Sequence, residues 1–439
     1  MAILQTAYIE EKFGTLQSSH PNVLLNEVRQ KGFQAYQNVG IPSYKNEEWR
    51  YTPVSNLFKQ SYSFSEKIST INQASVNTFR LPDSATANEL VFVNGLYNPL
   101  LSNIRSAANE LVIISMEEAA NDIRFSDILK EHLGKSSLYL QDGIHALNTS
   151  FINGGVFVYV PKKVQVALPL YIYHIADTVQ NPVLAQPRSL IYLAESAELK
   201  LVETYKTAGS SDSFTNEVME VVVAGNAVFE YYKLQNDIAV ANQVNTTHIR
   251  QIGKSYVHTV VVTLDGGMVR NNTNIIMETP GNEAHMYGLY LLKGNTHADN
   301  HTLVDNREPH CFSNELYKGV MDDATTGVFS GKIYVRPQAQ KINAYQSNKN
   351  ILLSEMASVN TKPQLQIFAD DVKCSHGCTI GRLDEEALFY LRSRGIDAAQ
   401  AKAMLLQAFA NDVIEKIKIE SLREHIETLI VNRLSVQIS

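Results

Sequence analysis

ESAELKLVE (195–203), GNAVFEYYK (225–233), GKSYVHTVV (253–261) and GNEAHMYGLY (281–290) share one design: a turn of small or polar residues running into an apolar, β-prone segment. With Ala197, Ala227, Ser255 and Ala284 taken as equivalent, the design recurs with a nearly constant period. The residues themselves differ, so the repeat is a structural rhythm more than a copied motif. A period of about 30 residues, holding two or three short strands, suits one coil of a β-helix, in which each coil buries its inward side chains against its neighbours. A sandwich or jelly roll, with turns roughly every 8–12 residues, is the competing architecture on periodicity alone.

The same texture extends on both sides. GVFVYVP (155–161), LPLYIYHI (168–175), RSLIYLAE (188–195), MEVVVAG (219–225), VHTVVVTL (257–264) and HMYGLYLL (285–292) alternate with Gly, Asn and Asp turns. We therefore place a β-rich core at 146–380. The region before it, 1–145, is expected to be a helical or α+β domain. Pro21 opens a helix in which Val23, Leu24, Val28, Phe33 and Tyr36 recur at helical spacing, with a stop at Asn38 and Gly40. A second helical stretch runs over 116–134, and ELVFVNGLYN (89–98) reads as strand with an Asn94-Gly95 turn. The region after the core, 381–439, turns helical. Asp384 and Asp397 are natural N-caps, Gly395 suits the left-handed position after a helix, and Leu422, Ile426, Leu429 and Ile430 fall on one face of a third helix. These helices are expected either to cap the open end of the stack or to form an arm for a partner.

Composition narrows the function. The chain has 439 residues and a net charge of -7, which argues against nucleic acid as a partner because phosphate neutralisation needs a clustered basic excess. Three cysteines make no disulfide framework and suit a reducing compartment. Glu10-Glu11 interrupts the opening segment where a signal peptide needs an apolar run, and no stretch approaches the roughly 18 apolar residues of a membrane span. A soluble, cytoplasmic protein is expected, away from the membrane.

The densest chemistry lies in DDVKCSHGCTIG (370–381). On an extended strand Cys374, His376 and Cys378 share one face, and two thiols flanking an imidazole suit a soft or borderline metal or an iron–sulfur species. The spacing is not that of a structural zinc site, and the plainer reading is two small buried cysteines and a turn histidine. Lys373 is a candidate for lowering the Cys374 thiol pKa, although alternation sends it to the opposite face. HADNHTLVDNREPHC (297–311) gathers His297, His301, His310 and Cys311, but its Asn- and Asp-rich setting reads as turns with solvated histidines. Phosphate loops fail: GKS at 253–255 lacks the upstream glycine, and GVFSGKI (327–333) is too short by one position and ends in Ile333. The pairs Asp322-Asp323 and Asp370-Asp371 point to opposite faces of a strand and make no acid–base dyad.

Taken together, KNEEWRYTPVSNLF (45–58), the β-rich middle and DDVKCSHGCTIGRLDEEALFYLRSRGI (370–396) with its helical end resemble the SufB/SufD family of iron–sulfur cluster assembly proteins, the DDVKCSHG string and the length being most like SufD. The resemblance covers essentially the whole chain. It implies a right-handed parallel β-helix flanked by an N-terminal helical or α+β domain and a C-terminal helical domain. It also implies a non-catalytic scaffold that pairs with a SufB-like subunit and binds a SufC-like ABC ATPase, which hydrolyses the ATP. The C-terminal helices, with Leu383, Asp384, Leu388, Leu391, Met404, Leu405 and Phe409, become the ATPase-docking region. Cys374 and His376 match residues at the SufB–SufD interface. Cys378 departs from the family pattern, where a small residue such as Ala commonly follows the Gly, and is read as a buried thiol in preference to a third ligand. No tightly bound cofactor is implied, only iron or an iron–sulfur cluster passing through that interface. The same edges are free to pair two copies of the chain when it is alone. Two rival readings remain: a SufB-like scaffold that itself holds the nascent cluster, and a carbohydrate-active β-helix enzyme, for which a single Trp is a poor endowment.

Overall fold

The computed structural model describes residues 2–19, 22–64 and 69–435. Its centre is a parallel β-solenoid. Successive strands alternate between two facing sheets, so each strand pairs with the strand two further along the chain. One sheet runs from Val156–Val160 through Arg188–Leu193, Ser213–Val223, Ala241–Gln251, Met268–Met277, His297–Asn306 and Thr326–Val335 to Ser358–Ile367. The other runs from Asn88–Val93 through Leu170–Asp177, Glu198–Ala208, Val228–Asn236, Tyr256–Asp265, Glu283–Leu292, Phe312–Met321 and Ile342–Leu352 to Val372–Gly381.

The sequence rhythm is real, with one slip. Glu198 pairs with Val228, Val228 with Tyr256 and Tyr256 with Glu283, and the last of these steps is the shortest. Ala197 and Ala227 therefore align with Ser255, but Ser255 aligns with Asn282 and not with Ala284. The turn before Glu283 is shorter than the pattern suggests. A shift by an even number of positions keeps every side chain on its own face, so hydrophobic alternation cannot detect it.

Inward-facing residues of both sheets meet in one apolar core that includes Leu201, Val221, Phe229, Ile249, Ile275, Met286, Val304, Phe329 and Ile333. At the N-terminal end this core is closed by Leu111, Tyr97 and Ile104, and by short antiparallel additions, Val112–Ser115 on one sheet and Leu96–Tyr97 on the other. Asn94 and Gly95 make the tight turn, with φ of 51° and 84°. At the C-terminal end the core runs out through half-buried Leu352, Val359, Leu365 and Val372.

The terminal regions cover the outer faces. Helix Val23–Val39 starts at Asn22, whose side chain accepts from the Leu25 N–H, and ends at Gly40. Pro21 lies outside the described residues. The helix buries Leu25, Phe33 and Tyr36, whereas Val23 is exposed. The stretch 116–134 divides into Met116–Asn121 and Ser126–His132, separated at Asp122. Trp49 anchors the segment after the second helix. It is 1% exposed, and the Arg270 guanidinium lies 4.0 Å from its ring centroid. Arg270 in turn donates to the Glu48 carbonyl at 2.6 Å and to Asp299 Oδ2 at 2.8 Å.

The C-terminal helices do not cap the end of the stack. Ala398–Ile414 and Glu420–Ser435 lie along the outer face of the second sheet, where Leu406, Val413, Ile414, Ile417, Leu422, Ile426 and Ile430 cover Val260, Val262, Leu264, Leu289, Leu291 and Val320. That sheet face is apolar and must be covered, and each fully buried aliphatic side chain contributes about 1.5–3 kcal/mol. Both helices are therefore integral to the solenoid; only the short helix Glu385–Ser393 buries none of its residues.

Trp49→Ala should remove the ring on which Arg270 rests and destabilise the chain by about 3–5 kcal/mol. A shift of that size in the urea unfolding midpoint checks it; a near-neutral variant would remove Trp49 as the anchor of the N-terminal segment.

Candidate functional site

The last strand, Val372–Gly381, is bonded on one side only, to Ile342–Leu352, and among the described residues no strand lies beyond it. Most of its residues are exposed. The companion strand of the other sheet, Ser358–Ile367, ends its sheet in the same way, but its edge is blunted. The N–H groups of Ser358 and Phe368 donate back to Thr325 and Val335, so even-numbered residues face the preceding strand and odd-numbered ones face outward. Pro363 is odd-numbered and presents no N–H. Val372–Gly381 contains no proline and keeps its outward donors.

Cys374, His376 and Cys378 share the inward face of this open strand, in register with Ala344, Gln346 and Asn348. Cys374 packs half-buried against the end of the core, while His376 and Cys378 are exposed. The reading of Cys378 as a buried thiol is thus corrected: the strand has no outer neighbour to bury it. Burial pushes the Cys374 thiol up, with partial relief from the Ala344 N–H, so Lys373 does not activate it from the opposite face. Among the described residues no three His, Cys, Asp or Glu side chains converge on a metal-sized point. The geometry explains this. Alternate residues of one extended strand stand about 6.6 Å apart, whereas a shared metal needs its ligands about 2.0–2.3 Å from it. One extended strand therefore supplies at most part of a ligand set.

Behind the strand the solenoid interior is polar on one side of the apolar core. Gln346 Nε2 donates to Glu315 Oε2 at 2.8 Å. Asn348 donates to the Tyr290 hydroxyl at 3.0 Å, and Tyr290 donates to Asn350 Oδ1 at 2.5 Å. Deeper in, Glu203 holds His174 at 2.8 Å and Lys233 at 3.2 Å and accepts from Tyr231. Burial alone would raise the Glu203 carboxyl, but Lys233 and His174 outweigh it and the net shift is downward. Among the described residues no cation pairs with Glu315. Burial pushes its carboxyl up to about 7, with Thr302 and Gln346 hydrogen bonds opposing only in part.

Apolar side chains ring the open end. Tyr345, Met356, Ile367, Phe368 and Ile380 are all substantially exposed there. Lys362 on the penultimate edge pairs with Glu47 of the Trp49 segment, which ties the N-terminal region to this end. The residues expected at an ATPase dock divide in two. Leu383, Leu388, Leu391, Leu405 and Phe409 are partly buried, with Lys318 Nζ 4.2 Å from the Phe409 ring centroid, and Asp384 caps its helix by accepting from Glu386 and Ala387. Met404 is 45% exposed. The sequence reading missed its strongest companions, Phe389 at 75% and Tyr390 at 57%, although two aromatics on the polar side of a short capped helix were a visible signal.

The second histidine stretch does not form a site. His297, Asp299 and His301 lie on the strand His297–Asn306, not in turns, and face the Trp49 segment. His297 meets Thr52 at 3.0 Å, and His301 bridges Asp299 at 3.0 Å and Glu48 at 3.4 Å. His301 holds the Glu48 carboxyl down at about 2. His310 stands at a turn with φ of 62°, and Cys311 points into the core, so the four do not converge. GVFSGKI lies inside strand Thr326–Val335 and cradles nothing.

The fold and site define a class of protein, a two-sheet parallel β-solenoid with one closed end and one open end that carries thiols and an imidazole. Comparison with known proteins gives the family. The model for "SUF system FeS cluster assembly, SufBD core domain" matches residues 174–409, and that for the "SufBD protein N-terminal region" matches residues 6–172. The chain is 30% identical over 415 residues to iron–sulfur cluster assembly protein SufD of Escherichia coli, covering 92% of each. It is 30% identical over 413 residues to an iron–sulfur cluster assembly SufBD family protein of Synechocystis, covering 92% of this chain and 89% of that one. It is 28% identical over 347 residues to SufD of Bacillus subtilis, covering 73% of this chain and 76% of that one. The chain belongs to the SufBD family of iron–sulfur cluster assembly proteins. Among the described residues no helix is long and apolar enough to cross a membrane.

The Glu315 carboxyl sets a sign for pH dependence. Its ordinary value is 4.5 and its folded value about 7. Between these the folded chain holds the extra proton, so this group makes folding less favourable as pH rises. Glu315→Gln accepts the same Gln346 hydrogen bond without ionising. It should raise the denaturant midpoint relative to the wild type at pH 8 and change it little at pH 4.5; equal shifts at both would show that Glu315 does not carry the elevated value.

Proposed function

We propose that this chain is the SufD-type scaffold subunit of a SUF assembly complex. It pairs with a SufB-type subunit through its open solenoid end, binds an ABC-type ATPase subunit through its C-terminal helices, and is not itself a catalyst. The observation that carries this reading is the unpaired strand Val372–Gly381, which exposes His376 and Cys378 at a sheet edge rimmed by apolar side chains. An isolated protein would normally blunt or cover such an edge. Strand addition there would satisfy its backbone donors and bury the rim in one step.

Iron and sulfide are cargo in this reading. One extended strand cannot enclose them, so Cys374 and His376 supply part of a ligand set that the SufB-type subunit completes. The Cys374 thiol, raised by burial, keeps its proton at neutral pH and gives it up on binding iron, so capture of iron releases a proton there. ATP chemistry resides in the other subunit, consistent with the lack of a phosphate loop in this sequence. The relatives named SufD in Escherichia coli and Bacillus subtilis favour this assignment over the SufB-like alternative.

The Phe389, Tyr390 and Met404 side chains form the ATPase-docking face. Deleting everything from Leu383 onward would strip the cover from the second sheet, so point changes test the docking more cleanly. Phe389→Ala with Tyr390→Ala should weaken ATPase-subunit capture at least tenfold while the thermal unfolding midpoint stays within a few degrees; undiminished capture would move the docking site elsewhere. Cys374→Ala and His376→Ala should each leave the three-subunit complex intact and lower the iron–sulfur cluster it accumulates, measured by anaerobic absorbance. Wild-type cluster content in both variants would contradict the interface role.

A further inference from the structure

Each inward side chain of the open strand stands one step outside a side chain of the preceding coil: Cys374 on Ala344, His376 on Gln346 and Cys378 on Asn348. The Ala344 side chain has no polar atom to offer a ligand. Asn348 has both its N–H groups and its oxygen occupied, donating to the Tyr290 hydroxyl at 3.0 Å and the Tyr317 carbonyl at 3.2 Å while accepting from Asn350 at 2.7 Å. Gln346 is different. It is 3% exposed, its Nε2 donates to Glu315 Oε2 at 2.8 Å, and its Oε1 is buried without a hydrogen-bond partner among the described residues.

The orientation of that amide is dictated. At pH 8, above its value of about 7, the Glu315 carboxyl is ionised and only accepts, so it keeps the NH2 of Gln346 on the inner side and leaves the oxygen to other neighbours. Across the interior, Gly331 makes room for the nitrogen: a Cβ there would collide with Gln346 Nε2. Neighbouring strands are about 4.8 Å apart, which places the His376 side chain within reach of the Gln346 oxygen.

We propose that Gln346 is a positioning residue for His376: once a partner chain closes the open end, the His376 ring donates one N–H to Gln346 Oε1, so that its other nitrogen, with the lone pair, faces the partner. The inference rests on the reading of His376 as an interface ligand. A neutral imidazole carries one N–H and one lone pair, and the acceptor beside it selects the tautomer. Histidines that bind metal almost always donate their other N–H to a carbonyl or carboxylate, and losing that outer partner typically weakens metal affinity about 10–100-fold. Of the three side chains in register with the candidate ligands, Gln346 alone has a buried acceptor with no hydrogen-bond partner among the described residues.

The test uses the assembled three-subunit complex at pH 8, with ring-15N histidine and His376→Ala to assign the resonance. Ferrous ion, added anaerobically, is the binding probe. Wild type should show a single His376 tautomer. Gln346→Met, of similar length but without an acceptor, should give mixed tautomers and weaken ferrous binding at least tenfold. Gln346→Glu, with one proton held between its carboxyl and that of Glu315, retains an outward acceptor oxygen and should restore both. If Gln346→Met fails to assemble, Gly331→Ala, which displaces the amide nitrogen, should produce the same tautomer mixture. A single tautomer and wild-type ferrous affinity in these variants overturn the proposal. If His376→Ala itself leaves ferrous binding unchanged, the interface reading fails and this inference with it. If His376→Ala weakens binding and Gln346→Met does not, only the positioning role is lost.

Discussion

A stack of parallel coils cannot end without leaving a row of backbone donors and acceptors unpaired. Every strand inside the solenoid is satisfied by the coil before and the coil after, and the first and last have one neighbour missing. This chain treats its two ends differently. At the N-terminal end, antiparallel strands, Leu111 and Tyr97 close the core. At the C-terminal end, Val372–Gly381 keeps a full row of unpaired groups, while Pro363 blunts only the neighbouring edge. Cys374, His376 and Cys378 lie on that edge, where no strand among the described residues covers them.

Packing on the outer faces supports the same division of labour. The longer C-terminal helices are held down by Val413, Ile414, Ile426 and Ile430 and leave only a short, aromatic-bearing helix free. The Trp49 segment is pinned by Arg270 and reaches the open end through Glu47 and Lys362. The interior is equally unusual. Glu203 with Lys233 and His174, and Glu315 with Gln346, are polar groups inside a tube of aliphatic residues, retained although burial opposes their charge.

Much of this was legible in the sequence, and the exceptions have physical causes. Strand alternation and the regular recurrence of coils are enforced by burial on the inward face, so they are readable. The shorter step into Glu283 was not, because an even shift leaves the hydrophobic pattern unchanged. Asp384 and Asp397 announced themselves as caps because capping is local. The resting place of the last two helices is a tertiary matter: the helices show an apolar stripe, but nothing in them says whether it meets a sheet face or an open edge. Cys374, His376 and Cys378 were correctly grouped on one face by strand alternation, whereas the exposure of Cys378 depends on the absence of an outer neighbour. Gln346 carried no signal at all, since the role proposed for it rests only on register with His376 and on the anchoring of its amide by Glu315, 31 positions earlier.

The central claim is that the open strand is the seat of a partner chain. Backbone amide hydrogen exchange of this chain, alone and mixed with a SufB-type subunit, tests it directly. The account predicts fast exchange of the outward-facing amides of 372–381 in the isolated chain and strong protection on mixing. Protection confined to other surfaces, with 372–381 exchanging as rapidly as before, would contradict it.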